Sequence, residues 1–193
     1  MRSVHASKLR AVPAPLLDPT PSPALPPSVP PVRTDDLPGL FDAYSGYVAT
    51  IAFRILGRDD DVDDIVQDVF LAALSGLKTV RSPDSIKAWL GTITVRKAIF
   101  ELRRRRLRSY LGLHDSPGLD LVSPGVTPEQ HALLQRIYRV LDDLPVADRV
   151  AWVLRYLEGE SLSGVAQLSG CSLATAKRRV LAAQHAIKRV FHE

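Results

Sequence analysis

From Leu40 onward the apolar residues recur at spacings of three and four, the period of an α-helix with one buried face. Leu40, Phe41, Tyr44, Val48, Ile51, Ala52 and Ile55 mark a first helix, which Gly57 closes. An acidic amphipathic helix, Asp59 to Leu74, follows with Val62, Ile65, Val66, Val69, Phe70 and Ala73 on one stripe. At about 100° per residue, Asp64, Gln67, Asp68 and Leu71 fall on the opposite face. Leu71 is the one apolar member of that acidic face, the kind of position that marks a contact surface. A loop, Gly76 to Ser85, carries Lys78, Arg81 and Pro83. The long helix after it is expected to bury Ile86, Trp89, Leu90, Ile93, Phe100 and Leu107.

Gly112 to Val126 holds Gly112, Pro117, Gly118, Pro124 and Gly125 with little periodicity and reads as a flexible linker. Thr127-Pro128-Glu129-Gln130 then supplies a capping hydroxyl, a proline at the first helical position and a glutamine at the third, a capping box. The helix it starts runs to about Asp143, Leu144-Pro145 breaks the chain, and another helix spans about Ala147 to Leu157. At the other end, residues 1–36 contain nine of the fifteen prolines and no periodic apolar pattern, which predicts a disordered or polyproline II tail. The expected architecture is all-α: a tail (1–36), a helical domain (37–111), a linker (112–126) and a second helical domain (127–193).

The second domain contains the strongest local motif, Ser161 to Arg189. Ser161 is placed to cap a short helix with Leu162, Val165 and Ala166 inward, and Gly170 to make a turn. Ser172 caps a longer helix with Leu173, Ala176, Val180, Ala183, Ile187 and Val190 inward. This is a helix-turn-helix. Thr175, Arg178 and Arg179 point away from its buried stripe and Lys177 lies at the margin, so these side chains can reach a major groove.

Charge adds a second clue. The net charge of +4 is modest, but the charges are sorted along the chain. Asp59 to Asp68 carries six aspartates and no base, whereas Arg96 to Arg108 carries seven bases against the single acid Glu101, including Arg103-Arg104-Arg105-Arg106. The acidic segment suits a protein partner, and the two basic helices suit a polyanion. The single cysteine, Cys171, is expected to fill space at the turn and excludes an internal disulfide or a multi-thiolate metal site. No apolar run approaches the roughly 20 residues that span a bilayer, and no signal peptide is expected. The five histidines are dispersed, and no metalloprotease, phosphate-loop or serine-hydrolase motif is present. Neither enzymatic activity nor a cofactor or metal is expected. Pairs such as Asp63 and Asp64 lie along one helix without convergent ligands for Mg²⁺.

These motifs together resemble the extracytoplasmic-function (ECF) type of bacterial RNA polymerase σ factor, which has only the domains called σ2 and σ4. The resemblance covers about Leu40 to Phe191. Asp61-Val62-Asp63-Asp64-Ile65-Val66-Gln67-Asp68-Val69-Phe70 is similar to region 2.2, and Ala88-Trp89-Leu90 through the arginine run to regions 2.3 and 2.4. Leu144-Pro145, Leu154-Arg155-Tyr156-Leu157-Glu158-Gly159 and the helix-turn-helix are similar to σ4. The resemblance implies a cytoplasmic initiation factor that binds core polymerase through its β′ and β subunits, with Asp64, Gln67, Asp68 and Leu71 on the β′ coiled coil. It implies −10 element contacts from the Gly76–Ser85 loop and the following helix, assigned to Lys78, Arg81, Arg96, Lys97, Arg103 and Arg106. It implies −35 element contacts from Ser172, Thr175, Lys177, Arg178 and Arg179. Many members are held inactive by an anti-σ factor, so such a partner is a further implication.

The chain departs from the family pattern in two places. Val95-Arg96 and Phe100 stand where Arg-Asn and a following Asp are common, and Ser163-Gly164 replaces a common Glu pair, with Gly164 costing up to about 1 kcal/mol relative to Ala in a helix. Two other readings of the residues remain: a stand-alone helix-turn-helix repressor or activator, and a helical interaction protein whose bases merely solvate it. The first would act as a dimer on paired half-sites and leaves the acidic face unexplained.

Overall fold

A computed structural model of the chain describes residues 37–76, 85–113 and 127–191. The tail (1–36), Lys78, Arg81 and linker residues 114–126 lie outside the described residues. The described residues form seven helices: α1 (Leu37–Leu56), α2 (Val62–Gly76), α3 (Ile86–Tyr110), α4 (Pro128–Asp143), α5 (Val146–Tyr156), α6 (Leu162–Leu168) and α7 (Leu173–Phe191).

Helices α1 to α3 pack on one another through the stripes that periodicity marks. Val48, Ile51, Ala52 and Ile55 of α1 meet Val62, Ile65, Val66, Val69 and Phe70 of α2, all buried. The acidic helix begins at Val62, because Asp59 to Asp61 form the turn that starts it, with Val62 N–H bonded to the Asp59 carbonyl at 3.0 Å. Phe41 is 44% exposed and stands at the bundle's edge, its ring against Phe70 at 4.8 Å between centroids. On α3, Leu90, Val95, Ala98 and Leu102 are buried, but Phe100 and Leu107, expected inward, are 66% and 61% exposed. The sequence Ile86, Ile93, Phe100, Leu107 advances in sevens, and a straight α-helix drifts about 20° per seven residues, so the series walks off the buried face.

Helices α4 to α7 form the second group. The capping box is complete: Gln130 N–H donates to the Thr127 hydroxyl at 3.3 Å, and Thr127 N–H donates to the Gln130 side-chain oxygen at 3.0 Å. Trp152 of α5 is fully buried, and its indole N–H donates to the Gln184 side-chain oxygen of α7 at 2.7 Å. Both helix-turn-helix caps form, with Gly164 N–H on Ser161 Oγ at 3.0 Å and Thr175 N–H on Ser172 Oγ at 3.2 Å. Gly170 turns the chain at φ +60°, where an L side chain is disfavoured. Cys171 is half-buried against the core. Leu173 and Val190, expected inward, are 56% and 41% exposed, because the first lies in the opening turn and the second in the closing turn, beyond the reach of the helices that cover Ala176 to Ile187.

The two groups share a continuous apolar core. They are also joined at two helix ends. The last carbonyls of a helix lack intrahelical donors. At the end of α1, Gly57 N–H takes the Phe53 carbonyl at 2.7 Å, and the Tyr138 hydroxyl of α4 donates to the Arg54 carbonyl at 2.6 Å. Arg149 of α5 takes the next two, Nε on Ile55 at 2.9 Å and Nη2 on Leu56 at 2.8 Å, and its Nη1 pairs with Asp142. In return, Arg54 Nη1 donates to the Leu157 carbonyl at the end of α5 at 2.7 Å and to Glu158 at 2.9 Å. Gly57, at φ +72°, sits under the Tyr138 ring where a Cβ would collide. A Cβ at Gly91 of α3 would lie 3.0 Å from Leu168 of α6, so the groups also touch closely at a second point.

Replacing Arg149 with Met keeps its apolar volume but leaves two buried carbonyls without donors. Each such loss costs about 1–3 kcal/mol. Arg149→Met is therefore expected to lower unfolding stability by about 3 kcal/mol in urea, with circular dichroism and Trp fluorescence midpoints falling together; a change below about 1 kcal/mol would show that the contact contributes little.

Candidate functional site

Three exposed surfaces of different chemistry follow from this packing. The first is the outward face of α2. Asp64, Gln67, Asp68 and Leu71 are all exposed, and Leu71 and Leu74, at 54% and 50% exposure, lie beside the carboxylates. The structure thus brings the four sequence-predicted residues onto one surface. Asp68 is bridged by Lys97 of α3 at 2.8 Å, with both side chains substantially open to solvent, so the pair holds little energy.

The second surface is α3, where acids divide the arginine run. Arg105 is nearly buried and pairs with Asp61, and its Nε is 3.4 Å from the buried Glu101. Arg104 Nε is 2.7 Å from Glu101 and its Nη2 3.8 Å from Asp61. Burial raises the Asp61 carboxyl, but the Arg105 hydrogen bond and the charges of Arg105, Arg104 and Arg58 outweigh it and hold Asp61 below the usual carboxylate range. Arg104 and Arg105 therefore fasten α3 to the turn before α2. Arg96 and Arg103 are exposed without an ion pair among the described residues. Arg106 is also exposed and donates to the Leu144 carbonyl of the second group at 3.2 Å. Lys97 is occupied by Asp68. Among the bases predicted for this surface, Arg96 and Arg103 are the ones most available to a polyanion.

The third surface is the start of α7. Arg178 projects opposite the buried Ala176, Val180, Ala183 and Ile187. Thr175 and Arg179, both half-buried, flank it on one side, and exposed Lys177 lies on the other. Ser172 is exposed at the cap, its hydroxyl 2.9 Å from that of Thr175. The Trp152–Gln184 bond fixes α7 on α5 behind this surface. Among the described residues no group of three or more His, Cys, Asp or Glu side chains could hold a metal ion.

The Sigma-70 region 2 family model matches residues 40–108. The RNA polymerase sigma factor SigV of Bacillus subtilis is 33% identical over 130 residues, 67% of this chain and 75% of its own. The ECF RNA polymerase sigma factor EcfG of Rhodopseudomonas palustris is 32% identical over 130 residues, 67% of this chain and 70% of its own. The chain belongs to the ECF σ factors. The sigma factor RpoE of Bartonella quintana, solved in complex with the anti-sigma factor NepR, shares the fold, with a TM-score of 0.58, 22% identity, and coverage of 81% of this chain and 97% of that one.

For this σ factor the region 2 match runs from α1 almost to the end of α3, so it includes the acidic face and the whole arginine run. Sequence reasoning missed three features of that region. Asp61 and Glu101 decide which arginines are free, and Glu101 was legible as the one acid placed three and four residues before Arg104 and Arg105. Phe100 faces solvent and not the core.

The lowered Asp61 carboxyl gives this network a pH signature. A group lowered in the folded state stabilises fully above its unfolded value, about 3.9, and that contribution is lost as pH falls through the lowered folded value. The stability difference between the native chain and Asp61→Asn, followed by urea denaturation, is expected to be constant from about pH 5 to 7 and to shrink below about pH 4. A difference independent of pH would remove the network from the account.

Proposed function

We propose that this σ factor binds core RNA polymerase through the α2 face, mainly the β′ subunit with β as a further contact, and directs it to promoters in the cytoplasm. Helix α3 and the preceding loop take the −10 element, through Arg96 and Arg103 with Lys78, Arg81, Lys97 and Arg106. Helix α7 takes the −35 element, through Arg178, Thr175 and Arg179 with Ser172 and Lys177. In this reading residues 37–111 and 127–193 act as the two DNA-directed units and 112–126 as their link. The observation that carries it is the separation of chemistries. One exposed face is acidic with an apolar centre, and two are basic, on three different helices.

Each DNA surface alone offers few contacts, so each binds weakly and with strong salt dependence. Mounting both on polymerase makes the second contact intramolecular and raises its effective concentration. No catalytic step is required of the factor. No helix among the described residues is long and apolar enough to cross a membrane. The complex of the Bartonella quintana relative with an anti-sigma factor supports an anti-σ partner for this chain as well.

Run-off transcription from a promoter library, with core polymerase and the native chain, is expected to give discrete new start sites. Changing Asp64, Gln67, Asp68 and Leu71 together to Ala is expected to abolish them. Arg178→Ala is expected to lower initiation about tenfold at promoters that depend on the −35 element, the cost of one lost base contact. New start sites that survive the fourfold change would move the polymerase contact elsewhere on the molecule.

A further inference from the structure

The apolar part of the α2 surface continues onto α1. Phe41, Leu71 and Leu74 are all exposed, and the Phe41 ring rests on Phe70, which stands one helical turn before Leu74. Exposed Asp64 and Asp68 lie along the same face of α2. The surface is therefore apolar and acidic together, a combination that fits a partner both apolar and basic. Among the described residues nothing covers it.

The residues before α1 match this surface in chemistry and in place. Residues 1–12 carry Arg2, Lys8 and Arg10 with no acid, and Val4, Leu9 and Val12 stand among them. All nine prolines of the tail lie in the spacer that follows, residues 13–36. That spacer enters α1 at Leu37, about 6 Å of helical rise before Phe41, so the tail departs from the edge of the patch. A proline-rich chain extends at about 3.1 Å per residue, which gives the spacer a reach of up to about 70 Å, and its non-proline residues allow it to turn back. The other exposed charged surfaces, on α3 and α7, are basic and repel residues 1–12. An anionic membrane suits the same residues, but three bases are drawn to it only weakly, whereas the tether presents the α2 face at an effective concentration on the order of 1 mM.

We propose that residues 1–12 dock on the Phe41–Leu71–Leu74 patch of their own chain, with Arg2, Lys8 and Arg10 toward Asp64 and Asp68 and with Val4, Leu9 and Val12 on the apolar centre. A tail base takes Asp68 from Lys97 at little cost, because that pair is open to solvent. The docked tail masks the face that takes core polymerase, a consequence that rests on the reading proposed above. Tethering makes a weak contact sufficient. At an effective concentration of about 1 mM, a segment that binds the face at about 0.1 mM covers it about nine-tenths of the time. Polymerase then meets an open face in about one chain in ten, and its apparent affinity falls about tenfold. The factor is held back by its own tail until polymerase, salt or a ligand of the tail displaces it.

The test has two arms, both on the full chain. In the first, a water-soluble carbodiimide joins lysines to carboxylates in contact at low ionic strength, and mass spectrometry locates the links. The Lys97–Asp68 pair serves as the internal control. Links from Lys8 to Asp64 or Asp68 are expected, and they are expected to fall about fivefold in about 0.5 M salt, where exposed charges are screened. Changing Leu71 and Leu74 together to Ser is expected to reduce them about as much while the control link persists. Lys8 links only to carboxylates elsewhere, or links between isotopically labelled and unlabelled copies, would overturn docking within one chain. So would the absence of Lys8 links beside a formed control, and sedimentation with phosphatidylserine vesicles would then assign the tail to a membrane. In the second arm, the native chain and a chain carrying Arg2→Glu, Lys8→Glu and Arg10→Glu are titrated against core polymerase. The reversed tail is expected to bind about tenfold more tightly at low ionic strength, with the advantage shrinking as salt rises. Equal or weaker binding by the reversed tail would overturn the masking. If neither chain binds polymerase although the Lys8 links form, the polymerase reading fails and the docking stands.

Discussion

The structure depends on a reciprocal exchange of helix caps. Helix α1 ends in carbonyls taken by Tyr138 and Arg149 of the second helical group, and α5 ends in a carbonyl taken by Arg54 of the first. Each guanidinium also sits at the negative end of the partner helix, where a cation is favoured by the peptide dipoles. Sequence neighbours satisfy only part of each end: Gly57 N–H takes the Phe53 carbonyl, and Glu160 N–H takes the Leu154 carbonyl. Gly57 and the residues after Leu157 turn away too early, so a burial that would otherwise cost several unsatisfied acceptors becomes the joint between the groups. The buried Arg149 is tolerable for the same reason. Nε and both terminal nitrogens find oxygen partners, with Asp142 supplying the opposite charge.

The charged network at α3 has a different consequence. Four consecutive arginines must point around the whole helix, and an arginine facing the protein needs an acid. Glu101 and Asp61 provide it for Arg104 and Arg105, which turns half of the run into a fastening. The other half is left outward by the same rotation. The basic surface is therefore narrower than the run suggests, and its members are spaced by apolar residues and not by further bases.

Much of this was legible in the residues. Spacings of three and four, together with capping residues and the Leu144-Pro145 break, located all seven helices. The Thr127–Gln130 box and the Ser161 and Ser172 caps form with the partners that their offsets require. The acidic face of α2 is exposed as a helical projection places it. What could not be read was the length over which a helix is covered. Phe100, Leu107, Leu173 and Val190 follow plausible apolar series, but burial needs a neighbour, and a pattern within one helix does not say where its neighbours stop. The joint was hidden for a related reason. Arg149, Tyr138 and Arg54 are far apart in sequence, and their chemistry becomes visible only when two helix ends meet. An arginine followed directly by Val150, Ala151 and Trp152 was the one local sign that a charge is buried there.

The helix-turn-helix shows how far this joint extends its influence. Helix α6 has seven residues, well below the roughly 12 to 15 at which an isolated helix becomes even marginal, and Gly164 within it lowers its propensity further. Its Ser161 cap contributes about 1 kcal/mol, too little to offset the cost of nucleation. The remainder must come from packing. Val165, Ala166 and Leu168 are buried, and Leu168 does not rest only on its own group: it lies against Gly91 of α3, at a point where even a methyl group would crowd it. The absence of a side chain at Gly91 thus lets the first group support the shortest helix of the second. Since α7 is placed by its turn from α6 as well as by the Trp152–Gln184 bond, the position of Arg178 depends partly on residues more than 80 positions away, on the helix that carries the other basic surface.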